Sequence, residues 1–334
     1  MKTAFVTGGT GFLGRNLIDV LLAEGWSITC MHRPSSNIAP LQRLGVSLVV
    51  ADFDDPASLR AAIPEGVDAV FHVAGSTAMW SRLNKQQAHD NIDATRAIVD
   101  AALARGAKRF AHTSSIASYA GGDGRPLEED SPQRAEHSWI SYERTKYLGE
   151  RVVLDAVATR GLDAVVLCPG HIVGKYDTRN WVQMITMVQN DSLPGIPPGV
   201  GPFGSVHEVA KAHVRAIERG APGERFLLGG TQETFAAFVA AIGEVLGKKP
   251  KARTMPAFAL KTVGRIQVMV GALRAGEPTL TPEKAAIICH KILIVSKKAE
   301  DKLGYRTLPL RELVQETVDW MRAEGALPSA TLAA

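Results

Sequence analysis

Along this chain, short apolar runs rich in Val, Ile and Phe alternate with longer Ala/Leu-rich stretches whose apolar positions recur at helical spacing. Unbroken apolar runs of that length read as strands buried on both faces, and the stretches between them as helices lying over those faces. Strands are expected at 3–8, 27–32, 47–52, 68–74, 109–115 and 163–169, with helices at about 12–24, 56–63, 87–105 and 141–160. The β-α-β-α order predicts the α/β class and a doubly wound parallel sheet, with right-handed crossovers and a ligand site at the carboxyl ends of the strands. Beyond Pro169 the pattern loosens: LPGIPPGVGPFG (193–204) reads as loop, 205–220 as helix, RFLLGG (225–230) as strand, and the chain from about 231 as helical. The expected division is a nucleotide-binding lobe over 1–170, rejoined by 206–229, and a smaller, mainly helical substrate lobe built from 171–205 and 230–330.

The first strand runs into TGGTGFLG (7–14), which spaces Gly8, Gly11 and Gly14 as G-x-x-G-x-x-G immediately before a helix. Gly8 permits the tight turn, Gly11 lets backbone approach a pyrophosphate, and Gly14 allows close helix-to-strand packing. The backbone of Thr10, Phe12 and Leu13 would share the phosphate contacts, helped by the free N–H groups of the helix start. At the end of the second strand, CMHRPSS lacks the carboxylate that holds an NAD ribose. Arg33, with Ser35 and Ser36, could instead hold a 2′-phosphate, so NADP(H) is favoured over NAD(H); a surface arginine in a turn is the competing reading. Asp52 is a candidate partner for the adenine amino group, or else an acidic turn residue or helix cap.

Composition narrows this picture further. With 334 residues, 46% of them hydrophobic and 22% charged, the chain can bury a sizeable core and reads as a soluble globular protein. A net charge of +4 without a clustered basic stripe argues against a nucleic-acid partner and suits an anionic small molecule. Cys30, Cys168 and Cys289 are widely spaced, have no metal-ligand pattern, and read as reduced thiols of a cytoplasmic protein with no metal site. No signal peptide or spanning segment is expected. The closest approach is PAFALKTVGRIQVMVGAL (256–273), interrupted by Lys261 and Arg265, which reads as a lid over an apolar pocket or as a membrane-surface contact.

Tyr142 and Lys146, at i and i+4 in ISYERTKYLGE, project from one helical face. Taken alone, the pair reads by default as a solvated helix surface. A nearby ammonium and a cationic nicotinamide would lower the phenol's pKa and make it a usable acid or base. HTSSIAS, closing the fifth strand, supplies hydroxyls at the ligand end of the sheet, and Ser115 is chosen by position, with Ser114 as its neighbour. The intervening Glu143, Arg144 and Thr145 read as ordinary exposed helix residues, Asn91 as an N-cap or a site residue, and His72 and His112 as structural.

With these motifs in order, the chain resembles an extended short-chain dehydrogenase/reductase, of the NAD-dependent epimerase/dehydratase superfamily, from end to end. The pieces are TGGTGFLG, DAVFHVAG, NIDAT, RFAHTSS, YERTK, LCPGHIVG, SVHEVAKAH and LGYRTLPLRELVQETVDW. It is most similar to the branch of dihydroflavonol 4-reductases and 3β-hydroxysteroid dehydrogenases. The resemblance implies a Rossmann lobe, a Ser115–Tyr142–Lys146 triad, and cofactor contacts from the glycine loop, Arg33, Asp52, Phe53, Val73, Ala74, Gly75, Pro169, Gly170, His171 and Ile172. His171 could also face substrate, or simply be packed. A homodimer through the helices at 87–105 and 141–160 is implied as well. Ala94, Lys175 and Glu208 depart from the family pattern, which weakens transfer of substrate contacts more than of mechanism. The expected activity is NADP(H)-dependent interconversion of a carbonyl and a secondary alcohol on a bulky apolar small molecule, a sterol- or flavonoid-like ring. A nucleotide-sugar epimerase or dehydratase with NAD, and a non-catalytic cofactor-binding regulator, are the alternatives.

Overall fold

A computed structural model of the protein describes residues 1–271 and 277–328. Seven strands form one parallel sheet: β1 (Thr3–Thr7), β2 (Ser27–His32), β3 (Ser47–Val50), β4 (Ala69–His72), β5 (Arg109–Thr113), β7 (Ala164–Pro169) and β10 (Arg225–Leu228). Their order is β10-β7-β5-β4-β1-β2-β3, reversing direction beside β1 as a doubly wound sheet requires. The central strands β4 and β7 are buried at every residue, which is why they read as unbroken apolar runs, whereas β3, at one edge, is exposed at both ends.

Helices cover both faces. On one, Leu13, Leu17 and Leu21 of the helix Phe12–Ala23 meet Val206, Val209 and Ala210 of the helix Val206–Arg219. On the other, Leu59, Ile98, Val99 and Val153 come from the helices Pro56–Ala62, Ala94–Ala104 and Ser141–Arg160. Asp55 caps the first of these three, its carboxylate accepting from the N–H groups of Ala57 and Ser58, so the cap expected of Asp52 falls three residues later.

The sequence pattern missed a second sheet. Its strands are β6 (Asp123–Leu127), β8 (His171–Val173), β9 (Val200–Ser205), β11 (Thr231–Thr234) and β12 (Lys291–Ile294), in the order β11-β9-β12-β6 with β8 also on β9. The stretch expected to be loop therefore contains β9, and the part expected to be helical contains β11 and β12. These strands are short, and β6 and β9 contain Gly and Pro, so local propensity argues against each; pairing with one another overrides it. The apolar stretch at 256–273 forms the helix Ala257–Gly271, with Ala272 and Leu273 outside the described residues.

Candidate active site

The glycine loop lies where β1 passes into its helix. Gly8 has φ +74°, and a Cβ there would lie 2.6 Å from the Ala74 nitrogen, so only glycine lets the loop press against the end of β4. A Cβ on Gly14 would collide with the Gly8 carbonyl. Gly11 begins the helix with an extended backbone and no side-chain cap, leaving the N–H groups beyond it, from Phe12 and Leu13, open to an anion. Thr10 is half-buried beside them, as is Phe12, while Leu13 turns into the core. This donor set fits a dinucleotide pyrophosphate.

Arg33 follows β2 in a turn in which Ser36 Oγ accepts from the Arg33 N–H at 3.3 Å. Its guanidinium is exposed and forms no ion pair among the described residues. Asp52 is exposed, its carboxylate accepting from the Asp54 N–H at 3.0 Å; Phe53 is half-buried with its ring edge on His72. Val73, Ala74 and Gly75 follow β4, with Gly8 pressed against Val73 and Ala74 and with Gly75 near Lys146.

Tyr142 and Lys146 occupy the first turns of Ser141–Arg160. Ser115 lies at the end of β5, where its Oγ accepts from the Ala117 N–H at 3.2 Å and acts on the Tyr142 phenol, holding its pKa down. Ser114 is separated from that role: its hydroxyl donates to Glu150 Oε2 at 2.7 Å. Lys146 is 8% exposed and donates to the Thr113 carbonyl at 2.6 Å. A Cβ on Gly75 would lie 3.9 Å from its Nζ, so the ammonium sits between the ends of β5 and β4.

Burial pushes the Lys146 amine down to about 8, opposed by Cys168 and Glu150. Burial raises the Tyr142 phenol, Ser115's hydrogen bond opposes this, and Glu143 raises it further. The protein's own groups therefore do not produce the lowered phenol expected from the sequence. They keep it protonated near neutrality, as a proton donor must be.

A chain of hydrogen bonds holds these strand ends in place. The Ala74 N–H donates to Thr7 Oγ1 (3.2 Å), which lies 2.8 Å from His72 Nδ1; His72 Nε2 lies 3.1 Å from Thr95 Oγ1, whose hydroxyl donates to the Asn91 carbonyl at 2.8 Å. Because Thr95 spends its proton on Asn91, Nε2 must donate and Nδ1 accept, giving one neutral tautomer. Burial and then Lys146 push His72 down to about 3. His112 stacks on His72 with ring centroids 5.5 Å apart.

Asn91 is no N-cap. It lies in a π-helical turn, His89–Asp93, where its side chain accepts from the Ser76 N–H (2.7 Å) and donates to the Ser76 carbonyl and to Thr145 Oγ1 (both 3.0 Å). The Asn91 carbonyl lies so near Gly149 that a Cβ there would collide with it. Thr145 and Glu143 are accordingly buried rather than exposed, Glu143 accepting from Ser138 Oγ at 2.5 Å; Arg144 is half-buried and donates to the Ser138 carbonyl. Sequence reasoning also missed Glu150, which is fully buried and receives Ser114 Oγ, Gln133 Nε2 (2.9 Å) and Arg225 (3.4 Å). Its spacing of four from Lys146 was the available signal.

Pro169 ends β7, and the Gly170 N–H donates to the Leu228 carbonyl at 2.8 Å. Ile172 packs on the first helical face of the main sheet. The His171 ring is packed among Trp181, Phe203 and Phe235, at centroid distances of 5.2, 5.5 and 5.9 Å. The ring packing expected of it is observed, and burial pushes it down to about 4.

A glycine-cradled helix start and a Ser/Tyr/Lys cluster at the carboxyl end of one parallel sheet coincide with a family pattern: residues 4–229 match the NAD dependent epimerase/dehydratase family. The chain belongs to that family. It is an oxidoreductase of the extended short-chain dehydrogenase/reductase type, and the family binds a nicotinamide cofactor. A putative dihydroflavonol 4-reductase of Synechocystis sp. is 27% identical over 329 residues, covering 96% of this chain and 95% of that protein. Sterol demethylase protein B of Methylococcus capsulatus is 28% identical over 344 residues, covering 97% and 100%. The crystal structure of gox2253 superimposes with a TM-score of 0.85 at 29% identity, covering 98% and 100%. Among the described residues no helix is long and apolar enough to cross a membrane, and no group of His, Cys, Asp or Glu is placed to hold a metal ion.

Proposed function

We propose that this protein is an NADP(H)-dependent reductase/dehydrogenase that interconverts a carbonyl and a secondary alcohol on a bulky apolar substrate. The observation that carries the reading is the gathering of Ser115, Tyr142 and Lys146 at the end of β5, where Lys146 donates to the Thr113 carbonyl, with Ser114 diverted to Glu150. The backbone of Gly8 to Gly14 holds the pyrophosphate, Arg33 the 2′-phosphate, and Asp52 and Phe53 the adenine; Val73 to Gly75 and Pro169 to Ile172 flank the nicotinamide half. When bound, the reduced dinucleotide supplies the hydride. Tyr142 gives its phenolic proton to the substrate oxygen, so a carbonyl gains one hydride and one proton and becomes an alcohol. Ser115 donates a hydrogen bond to the same oxygen as charge develops there. Lys146 holds the cofactor ribose and places a positive charge beside the phenolate left on Tyr142. Oxidation of an alcohol reverses these roles.

The apolar substrate class is supported by the names of the two relatives and by the apolar helix Ala257–Gly271. Cytoplasmic location and a homodimer through the helices Ala94–Ala104 and Ser141–Arg160 belong to the same reading. The family's name keeps a nucleotide-sugar epimerase or dehydratase as the second reading; PFGSVHE (202–208) lacks the Arg-Asp pair expected there in such enzymes. Purified protein offered NADPH or NADH against a carbonyl panel that includes 3-ketosteroids should consume NADPH preferentially. Turnover of UDP-sugars alone, with NAD copurifying, overturns the reading. Arg33→Ala should weaken NADPH binding by about tenfold or more and NADH binding little, because a charge-assisted phosphate contact is lost; equal losses in a binding titration remove the 2′-phosphate assignment.

A further inference from the structure

The helix Ala257–Gly271 leaves Phe258, Ile266 and Met269 exposed at 73%, 54% and 75%. With Thr262 they lie in a sector of about 80°, taking 100° per residue. The opposite side holds the helix to the protein: Leu260 is buried, and a Cβ on Gly264 would lie 3.0 Å from the Thr281 carbonyl. Three large apolar side chains on one outward stripe form a contact face rather than scattered surface. Lys261 and Arg265 flank that stripe, are exposed, and form no ion pair among the described residues.

The surrounding sequence is one-sided in charge. From Val245 to Gly276 there are seven Lys or Arg residues and no Asp or Glu. Lys248 and Lys251 share Asp191 at 3.8 and 3.6 Å, which leaves the local excess strongly positive. The segment after the helix is fastened to the loop that leaves β4: Glu277 Oε1 accepts from the Met79 N–H at 3.1 Å, and Thr281 Oγ1 donates to the Met79 carbonyl at 2.5 Å. That loop passes Gly75, next to Lys146, so the helix is tied to the rim of the candidate active site.

We propose that the helix Ala257–Gly271 docks this protein on the surface of an anionic lipid bilayer. Phe258, Ile266 and Met269 enter the boundary between headgroups and acyl chains while Lys261 and Arg265 meet lipid phosphates, the arrangement of an interfacial amphipathic helix. A second copy of the chain fits this face poorly, because an antiparallel two-fold contact would set its basic side, Lys261 and Arg265, against itself. Docking also brings the rim of the site to the membrane, so that an apolar substrate enters without crossing water; this last step rests on the proposed substrate class, whereas the docking does not.

Sedimentation of the full chain with vesicles tests the proposal. Vesicles of phosphatidylcholine and phosphatidylglycerol in equal parts should carry the protein down, less so as salt is raised, and phosphatidylcholine alone should carry little. Replacing Phe258, Ile266 and Met269 together by Ser should weaken partition about a hundredfold, and Lys261→Glu with Arg265→Glu at least about tenfold, with unchanged thermal melting. Equal partition of the variants, equal binding to both vesicle types, or no binding contradicts the proposal. So does a dimer in light scattering that the triple Ser variant converts to monomer, which would assign the face to a second copy. Vesicle binding without carbonyl turnover would keep the docking and remove the substrate reading.

Discussion

His72 is buried and His171 half-buried, and both are pushed toward the neutral form, yet they are held in opposite ways. His72 takes one directional partner on each nitrogen, so its tautomer, its ring plane and the ends of β1 and β4 are fixed together. His171 has no partner on Nδ1 among the described residues and is held by aromatic rings. Hydrogen bonds fix positions to a few tenths of an ångström, whereas ring contacts mainly fix volume. The first kind of region suits groups that must meet a reacting atom. The second suits a wall whose shape can change while the chemistry beside it stays the same.

The largest effect is expected where the directional region meets substrate. Tyr142→Phe removes the proton donor while keeping the ring, and should lower kcat/KM for carbonyl reduction by about a thousandfold with cofactor affinity unchanged. A loss confined to KM would move Tyr142 from chemistry to packing. Lys146, held at about 8, carries its charge below that pH and loses it above, so reduction should decline as pH rises through about 8. The same depression below the ordinary 10.5 means that the unfolded chain binds the extra proton between about 8 and 10.5, so this group's contribution to stability rises over that window. Rate profiles and melting curves measured across the range should therefore move in opposite directions.

Glu150→Ala leaves Ser114, Gln133 and Arg225 without their shared acceptor, and should cost about 3 kcal/mol in denaturant unfolding. A cost below about 1 kcal/mol would show that the network is replaceable by water. The smallest effects compare the two histidines directly. His72→Leu strands the Thr7 hydroxyl and should cost about 2 kcal/mol, while His171→Leu should stay within about 1 kcal/mol. Equal costs would dissolve the distinction.

What the sequence revealed follows the same line. The glycine loop, the β-α-β order and the Tyr142/Lys146 pair are written in local spacing, and the parallel sheet appears as expected. Choosing Ser115 over Ser114 has its physical reason in Glu150, 36 residues from Ser114. The burial of Glu143 and Thr145 depends on Ser138 and Asn91, which no helical period announces. The second sheet was hidden because its strands carry turn residues and gain stability only from one another. The packing around His171 was hidden for a related reason, since its neighbours Trp181, Phe203 and Phe235 come from three separate segments.

Hydride transfer at Tyr142 is tested by mass spectrometry of the product formed from a ketone and NADPH deuterated at its transferable position. One deuterium on the new carbinol carbon is expected, with one NADP+ formed per alcohol. Epimerisation of a UDP-sugar with no net NADPH consumption and no deuterium in the product would contradict it.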